Sequence, residues 1–282
     1  MTATARIVVW ISATLFVTAA LARRPGEPLR PGYNMFSKQQ DVQLGQANAK
    51  KVLEQYQVLK NQFLQDYVSR VGNRVANATE AKQSGFQFNF TVLNVAEINA
   101  FALPGGPMFI YTGLLKTCDN EAQLAGVMGH EMSHVILRHG THEATKANFV
   151  QLPALLAGSV IGEDTVAGKL ANIGLGLGAN SVILKFSRDA ETEADALGSH
   201  LMAESGYNPI EMARFFEKLA TGPHPPQFLS DHPNPGNREK AIQAELQTLP
   251  QRSYTWETGD FSRMKSELAR VPPPPKSPAT PQ

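Results

Sequence analysis

The chain has 282 residues, 42% of them hydrophobic, which is enough to bury one sizeable core. Lys and Arg number 26 against 25 Asp and Glu, for a formal net charge of +1, so the basic excess typical of nucleic-acid binders is absent. Cys118 is the only cysteine; it excludes an intramolecular disulfide and reads as a small buried side chain.

Arg6 is followed by an apolar run over residues 7–22 that closes on Ala20-Leu21-Ala22, a small-residue cleavage pattern. The run is shorter than the ~20 residues that cross a bilayer comfortably, so a cleaved signal peptide over 1–22 is expected. Arg23 and Arg24 directly after it keep an uncleaved anchor as the alternative. No cysteine follows the run, so lipid attachment is not expected. Residues 23–36 read as a linker.

Ser37 with Gln40 forms a capping-box signal for a helix running toward Tyr56. Leu64, Tyr67, Val68, Val71 and Val75 form the stripe of a second helix. Phe86, Phe88, Phe90 and Val92 alternate with Gln87, Asn89 and Thr91, the pattern of a half-buried strand. Residues 97–103 and 108–112 read as further strands around the Pro104-Gly105-Gly106-Pro107 turn. Asp119 or Asn120 can cap the next helix and Gly140 can end it. Residues 152–184 are rich in Leu, Ala, Gly and Val but are interrupted by Glu163, Asp164 and Lys169; they read as buried or surface helices rather than a span. A further helix is expected to run to about Ser205, with Gly206 at its end. The prolines of 222–236 mark a loop, and Asn237 starts a last helix. The fold class is α+β: mainly helical, with a small sheet whose edge lies beside the Asn120–Gly140 helix. The compact domain is expected over 37–250, followed by an extension over 251–282 with a proline-rich, disordered tail.

The chemistry sits in His130-Glu131-Met132-Ser133-His134. Two histidines four apart lie one turn above each other, so both imidazoles reach one metal ion and the glutamate reaches its water. This HExxH pattern is the signature of zinc peptidases, with the histidines as ligands and Glu131 as general base. Leu124, Val127, Met128, Val135 and Ile136 make the helix apolar around these groups, and buried polar groups need partners. Catalytic zinc takes a third protein ligand. The metzincin spacing fails, because the required Gly and His positions hold Leu137 and Gly140. His139 is one residue short and is expected to face elsewhere. Glu191 and Asp195 share a face of the later helix, so Glu191 can bind the metal while Asp195 accepts a hydrogen bond from a ligand histidine. One Zn2+ per chain is expected. His142, His200 and His224 have no partner at ligand spacing and read as surface or capping residues.

His130-Glu131-Met132-Ser133-His134 with Arg138-His139, then Ser187-Arg188 with Glu191 and Ala194-Asp195, resembles the zinc metallopeptidase family of the CAAX prenyl protease. Within the gluzincins, that family includes the bacterial HtpX-like and BepA-like enzymes, and the single apolar run fits its exported branch. Asn99 to Gly106, Gly206-Tyr207-Asn208-Pro209, and His232-Pro233 with Arg238 are similar to further family segments in the same order. The resemblance implies a gluzincin-type domain. It implies that His232 and Arg238 lie near the metal as candidate catalytic groups, including donors to the oxyanion. It also implies that His232 can occupy the open metal position and hold the enzyme latent. The substrates it implies are unfolded or misassembled envelope proteins, met in a periplasmic, secreted or membrane-associated setting. Extended polypeptides can add to a sheet edge; residues 97–103 are the candidate, with ordinary sheet core as the equal alternative. No nucleic-acid partner is expected, while association with membrane or envelope proteins is. The rival to an endopeptidase is a latent zinc-binding protein with chaperone-like contacts and little turnover.

Overall fold

The computed structural model describes residues 23–147, 186–222, 226–233 and 236–274. The leader expected at 1–22, the 152–184 segment, His224 and the tail beyond 274 lie outside the described residues.

The capping box forms as its residues dictate. Ser37 Oγ accepts from the Gln40 N–H while the Gln40 side chain accepts from the Ser37 N–H, opening α1 (Lys38–Gln55). Asn61 caps α2 (Gln62–Ala76), whose stripe of Leu64, Tyr67, Val68, Val71 and Val75 is buried. The short α3 (Thr79–Ser84) ends on Gly85 with φ 75, a left-handed position that glycine takes without penalty.

Three strands follow: β1 (Asn89–Leu93), β2 (Ala100–Ala102) and β3 (Pro107–Tyr111). Their spatial order is β1-β3-β2, with β1 parallel and β2 antiparallel to β3, so β2 is an edge strand. Alternation sends Val92, Ala100, Met108 and Ile110 into the main core and Leu93, Phe101, Phe109 and Tyr111 into a second cluster with Val52 of α1. The sheet is therefore buried on both faces. This corrects the half-buried strand expected over 86–92: pairing begins only at Asn89, and the strand's far end is covered on both sides.

After α4 (Thr112–Thr117) comes the motif helix, α5 (Glu121–Ile136), with Asn120 accepting the Gln123 N–H as its cap. The helix stops earlier than Gly140. Leu137 is its C-cap, and Arg138 takes φ 58 before residues 139–147 turn helical again. Ser187 caps α6 (Arg188–Glu204), which closes near Gly206 at φ 80, as expected. α7 (Ile210–Ala220) follows, then α8 (Gln227–Asp231), a short helix within the stretch expected to be loop. α9 (Arg238–Leu246) begins at Asn237. It is not the last helix, because α10 (Phe261–Ala269) sets Phe261, Met264 and Leu268 into the main core. Arg23 also pairs with Glu245 of α9, so residues on both sides of 37–250 touch the domain.

The contact that positions the site is α5 against α6. A Cβ at Gly198 would lie 3.1 Å from His130 N and 3.3 Å from the Gly129 carbonyl carbon. With no side chain there, the two backbones approach closely enough for α6 carboxylates to reach α5 imidazoles.

Candidate metal centre

His130 and His134 project from α5, Glu191 from the first turn of α6, and His232 from the C-cap of α8. All four are buried, and one donor atom from each falls within 4.8 Å of the others. His130 Nε2 lies 3.1 Å from His134 Nε2, 3.2 Å from His232 Nδ1 and 3.3 Å from Glu191 Oε2. Glu191 Oε1 lies 3.4 Å from His134 Nε2 and 3.0 Å from His232 Nδ1. Donors about 2 Å from a tetrahedral ion stand roughly 3.3 Å apart, so the donor set fits a metal ion in size as well as in chemistry.

The surroundings call for positive charge at that point. His130 Nδ1 faces Asp195 Oδ1 at 3.0 Å, a contact that keeps a proton on that nitrogen and makes Nε2 the one that would face a metal. Burial resists charging His130, but the Glu191 and Asp195 carboxylates overcome it and lift its pKa to about 9. Glu191 is held below the usual carboxylate range: burial opposes this, and the His130 and His232 charges outweigh it. Burial drives His134 well below its ordinary value, keeping it neutral as a ligand must be. Buried Arg238 donates through one terminal nitrogen to Asp195 Oδ1 at 2.7 Å and through the other to Glu191 Oε2 at 3.0 Å. Those nitrogens brace the two carboxylates.

Glu131 stands beside the group. Its Oε2 accepts the Ala102 N–H of β2 at 3.1 Å, while Oε1 has no hydrogen bond and lies 3.3 Å from His232 Nε2. Burial pushes its carboxyl up, partly offset by His232 and His130. The cleft in front is lined by Leu44, Phe101, Leu103, Val135 and Phe186 together with Glu131 and His134.

The sequence reading did not reach several neighbours. His139 is buried, with Nδ1 2.9 Å from His134 Nδ1, and does not face elsewhere. The expectation assumed an unbroken helix, in which a residue five positions on lies about 140° around the axis. The break at Arg138 swings it back. Phe186 stacks on His134 at 3.9 Å between ring centroids, and Phe228 stacks on His232 at 4.5 Å. Arg138-His139 was the available signal; the aromatics had none. His200 is half-buried and held in an ion-pair cluster. It bonds Glu245 at 3.1 Å with Glu80 opposite. His142 is half-buried and meets the Tyr33 carbonyl.

The family model described as Peptidase family M48 matches residues 62–246, more than half of the chain. The β-barrel assembly-enhancing protease of Escherichia coli is 32% identical over 208 residues, 71% of this chain and 42% of that protein. The mitochondrial metalloendopeptidase OMA1 of Arabidopsis thaliana is 32% identical over 188 residues, 66% of this chain and 37% of that protein. The OMA1 of Schizosaccharomyces pombe is 31% identical over 198 residues, 69% of this chain and 56% of that protein. The chain thus spans less than half the length of the first two relatives.

Proposed function

The chain belongs to peptidase family M48, and we propose that it is a zinc-dependent endopeptidase that cuts unfolded or misassembled cell-envelope proteins. The observation that carries this reading is a buried four-donor group beside a carboxylate with one unbonded oxygen. Imidazoles with a single carboxylate favour zinc among divalent ions. The envelope setting rests on the leader-like run over 7–22 and on a relative named for β-barrel assembly. Among the described residues no helix is long and apolar enough to cross a membrane.

His130, His134 and Glu191 would hold the metal, with Asp195 fixing the His130 tautomer. When bound, the metal lowers the pKa of a water to about 7 and polarises the scissile carbonyl. The Ala102 N–H pins one oxygen of Glu131, which leaves Oε1 to take a proton and pass it to the leaving amine. The raised pKa of Glu131 suits a base that must also act as an acid. The substrate is proposed to lie extended along β2. The N–H groups of Ala100 and Ala102 already serve Asn99 and Glu131, so pairing there would run mainly through β2 carbonyls.

A second reading has its own observation. His232 Nδ1 stands among the other donors, as a fourth ligand closing the open position would. A resting enzyme of this kind is latent until His232 leaves. The test is cleavage of a reduced, unfolded protein by the full chain, stripped with a chelator and reloaded with Zn2+, beside His232→Ala. Cleavage that returns with Zn2+ is expected. Turnover only in His232→Ala identifies the latent form. Full zinc loading with no cleavage by either protein contradicts the enzyme reading.

A further inference from the structure

The two imidazoles on α5 are held from behind in different ways, and only one of these uses a carboxylate directly. His130 donates from Nδ1 to Asp195. His134 has no carboxylate at that position; its Nδ1 meets His139 Nδ1 at 2.9 Å, and His139 Nε2 meets Glu193 Oε2 at 3.0 Å. Two ring nitrogens at that separation share one proton. If Nε2 of His134 turns its lone pair to the metal, Nδ1 of His134 must be the donor and Nδ1 of His139 the acceptor. His139 then carries its own proton on Nε2, where a carboxylate oxygen accepts it. Every proton in the chain from His134 to Glu193 is assigned by these two contacts.

The backbone is shaped to make the first contact. Arg138 adopts φ 58, a region an arginine rarely enters, and this turn returns His139 to the His134 side. Arg138 is held there by Asp41, whose Oδ2 accepts from Nε at 2.6 Å, and by the Phe36 carbonyl. Phe186 closes one face of the His134 ring, so the ring edge toward His139 is fixed as well. A strained residue with two partners, followed by a buried histidine with both nitrogens engaged, is more than a helix end requires.

We propose that His139 and Glu193 are positioning residues, a two-step relay that sets the tautomer and orientation of the metal ligand His134. The relay makes His134 a different ligand from His130. Its support passes through a neutral imidazole to a carboxylate that is 41% exposed, whereas Asp195 is buried and braced by Arg238. The metal is therefore gripped firmly from one side and more softly from the other. The inference rests on the metal reading of His130, His134, Glu191 and His232.

The test is Zn2+ affinity of the full chain, by competition with a chromophoric chelator, in wild type, His139→Ala, His139→Gln and Glu193→Ala. Glu193→Ala removes a half-exposed side chain and leaves His139 in place, so it reports the relay even if His139→Ala folds poorly. Loss of about 10- to 100-fold is expected for His139→Ala, with a smaller loss for Glu193→Ala. His139→Gln should restore most of the affinity, because its amide can accept from His134 and donate to Glu193. In the zinc-loaded wild type, 15N chemical shifts should place the His139 proton on Nε2. Unchanged affinity in Glu193→Ala and His139→Ala together with a His139 proton on Nδ1 would overturn the relay while leaving the metal site intact. A wild type that binds no Zn2+ would overturn both.

Discussion

Helix α5 carries two buried glutamates that the protein treats in opposite ways. Glu121, in the first turn, is fully buried and saturated: Tyr67 and Tyr207 donate their hydroxyls at 2.9 and 2.7 Å, and Thr258 donates its N–H at 2.9 Å and its hydroxyl at 2.5 Å. Arg70 adds a charge at 3.6 Å. Glu131, at 2% exposure, keeps one oxygen without a hydrogen bond. Burying a carboxylate is unfavourable unless its oxygens are satisfied, so Glu121 is what a structural carboxylate looks like. The oxygen of Glu131 without a hydrogen bond, 3.3 Å from His232 Nε2, is where the proposed base would meet its reacting partner.

The comparison breaks most visibly if the two ends respond alike to substitution. Glu131→Gln is expected to slow peptide cleavage by about 10²-fold or more with no fall in thermal midpoint, since the amide keeps the shape and removes a poorly solvated charge. Glu121→Ala is expected to destabilise the fold by roughly 3–5 kcal/mol in urea unfolding, because several buried donors lose their acceptor.

A third test lies away from both ends. Burial opposes charging His200, but Glu245 and Glu80 lift its pKa to about 9; Glu245 is lowered to about 2, with His200 and Arg23 overcoming burial. A raised histidine stabilises fully below its unfolded value of 6.5 and loses that contribution as pH rises through about 9. A lowered glutamate stabilises above its unfolded value of 4.5 and loses that contribution as pH falls through about 2. The thermal-midpoint gap between wild type and His200→Gln should therefore be widest near pH 5–6 and close above about pH 9. A gap that is flat across this range would contradict the cluster.

The smallest effect sharpens the contrast without altering the site. Cys118 precedes α5 at the saturated end, and burial pushes its thiol up to about 12. It should resist alkylation in the folded protein at pH 8 and react once denaturant is added. In Glu121→Ala it should react without denaturant.

Much of the centre was legible because spacing and chemistry agreed. His130 and His134 share a helix face, Glu191 and Asp195 share another, and the structure brings these faces together. The close Gly129–Gly198 approach that does so leaves no periodic signal. His139 was misplaced because one left-handed residue, Arg138, overrides helical periodicity, and nothing in its own side chain announces that. The α8 helix was hidden among prolines, which punctuate the chain on both sides of it. Helix α10 was missed because the turn-rich approach after Leu249 read as an extension, although Phe261, Met264 and Leu268 carry a helical stripe. The strands were found in kind and displaced at their ends, since the alternation over 86–88 precedes the pairing with β3.

The most direct measurement sets Glu131→Gln beside Glu121→Gln, scoring cleavage rate per bound metal and unfolding free energy on the same preparations. The account predicts a crossed result. Glu131→Gln should keep its metal and its stability and lose turnover, while Glu121→Gln should lose stability and keep turnover per folded, metal-loaded molecule. Cleavage by Glu131→Gln within about threefold of wild type would contradict the assignment of Glu131 as the base, because loss of a general base lowers rates by ~10²-fold or more.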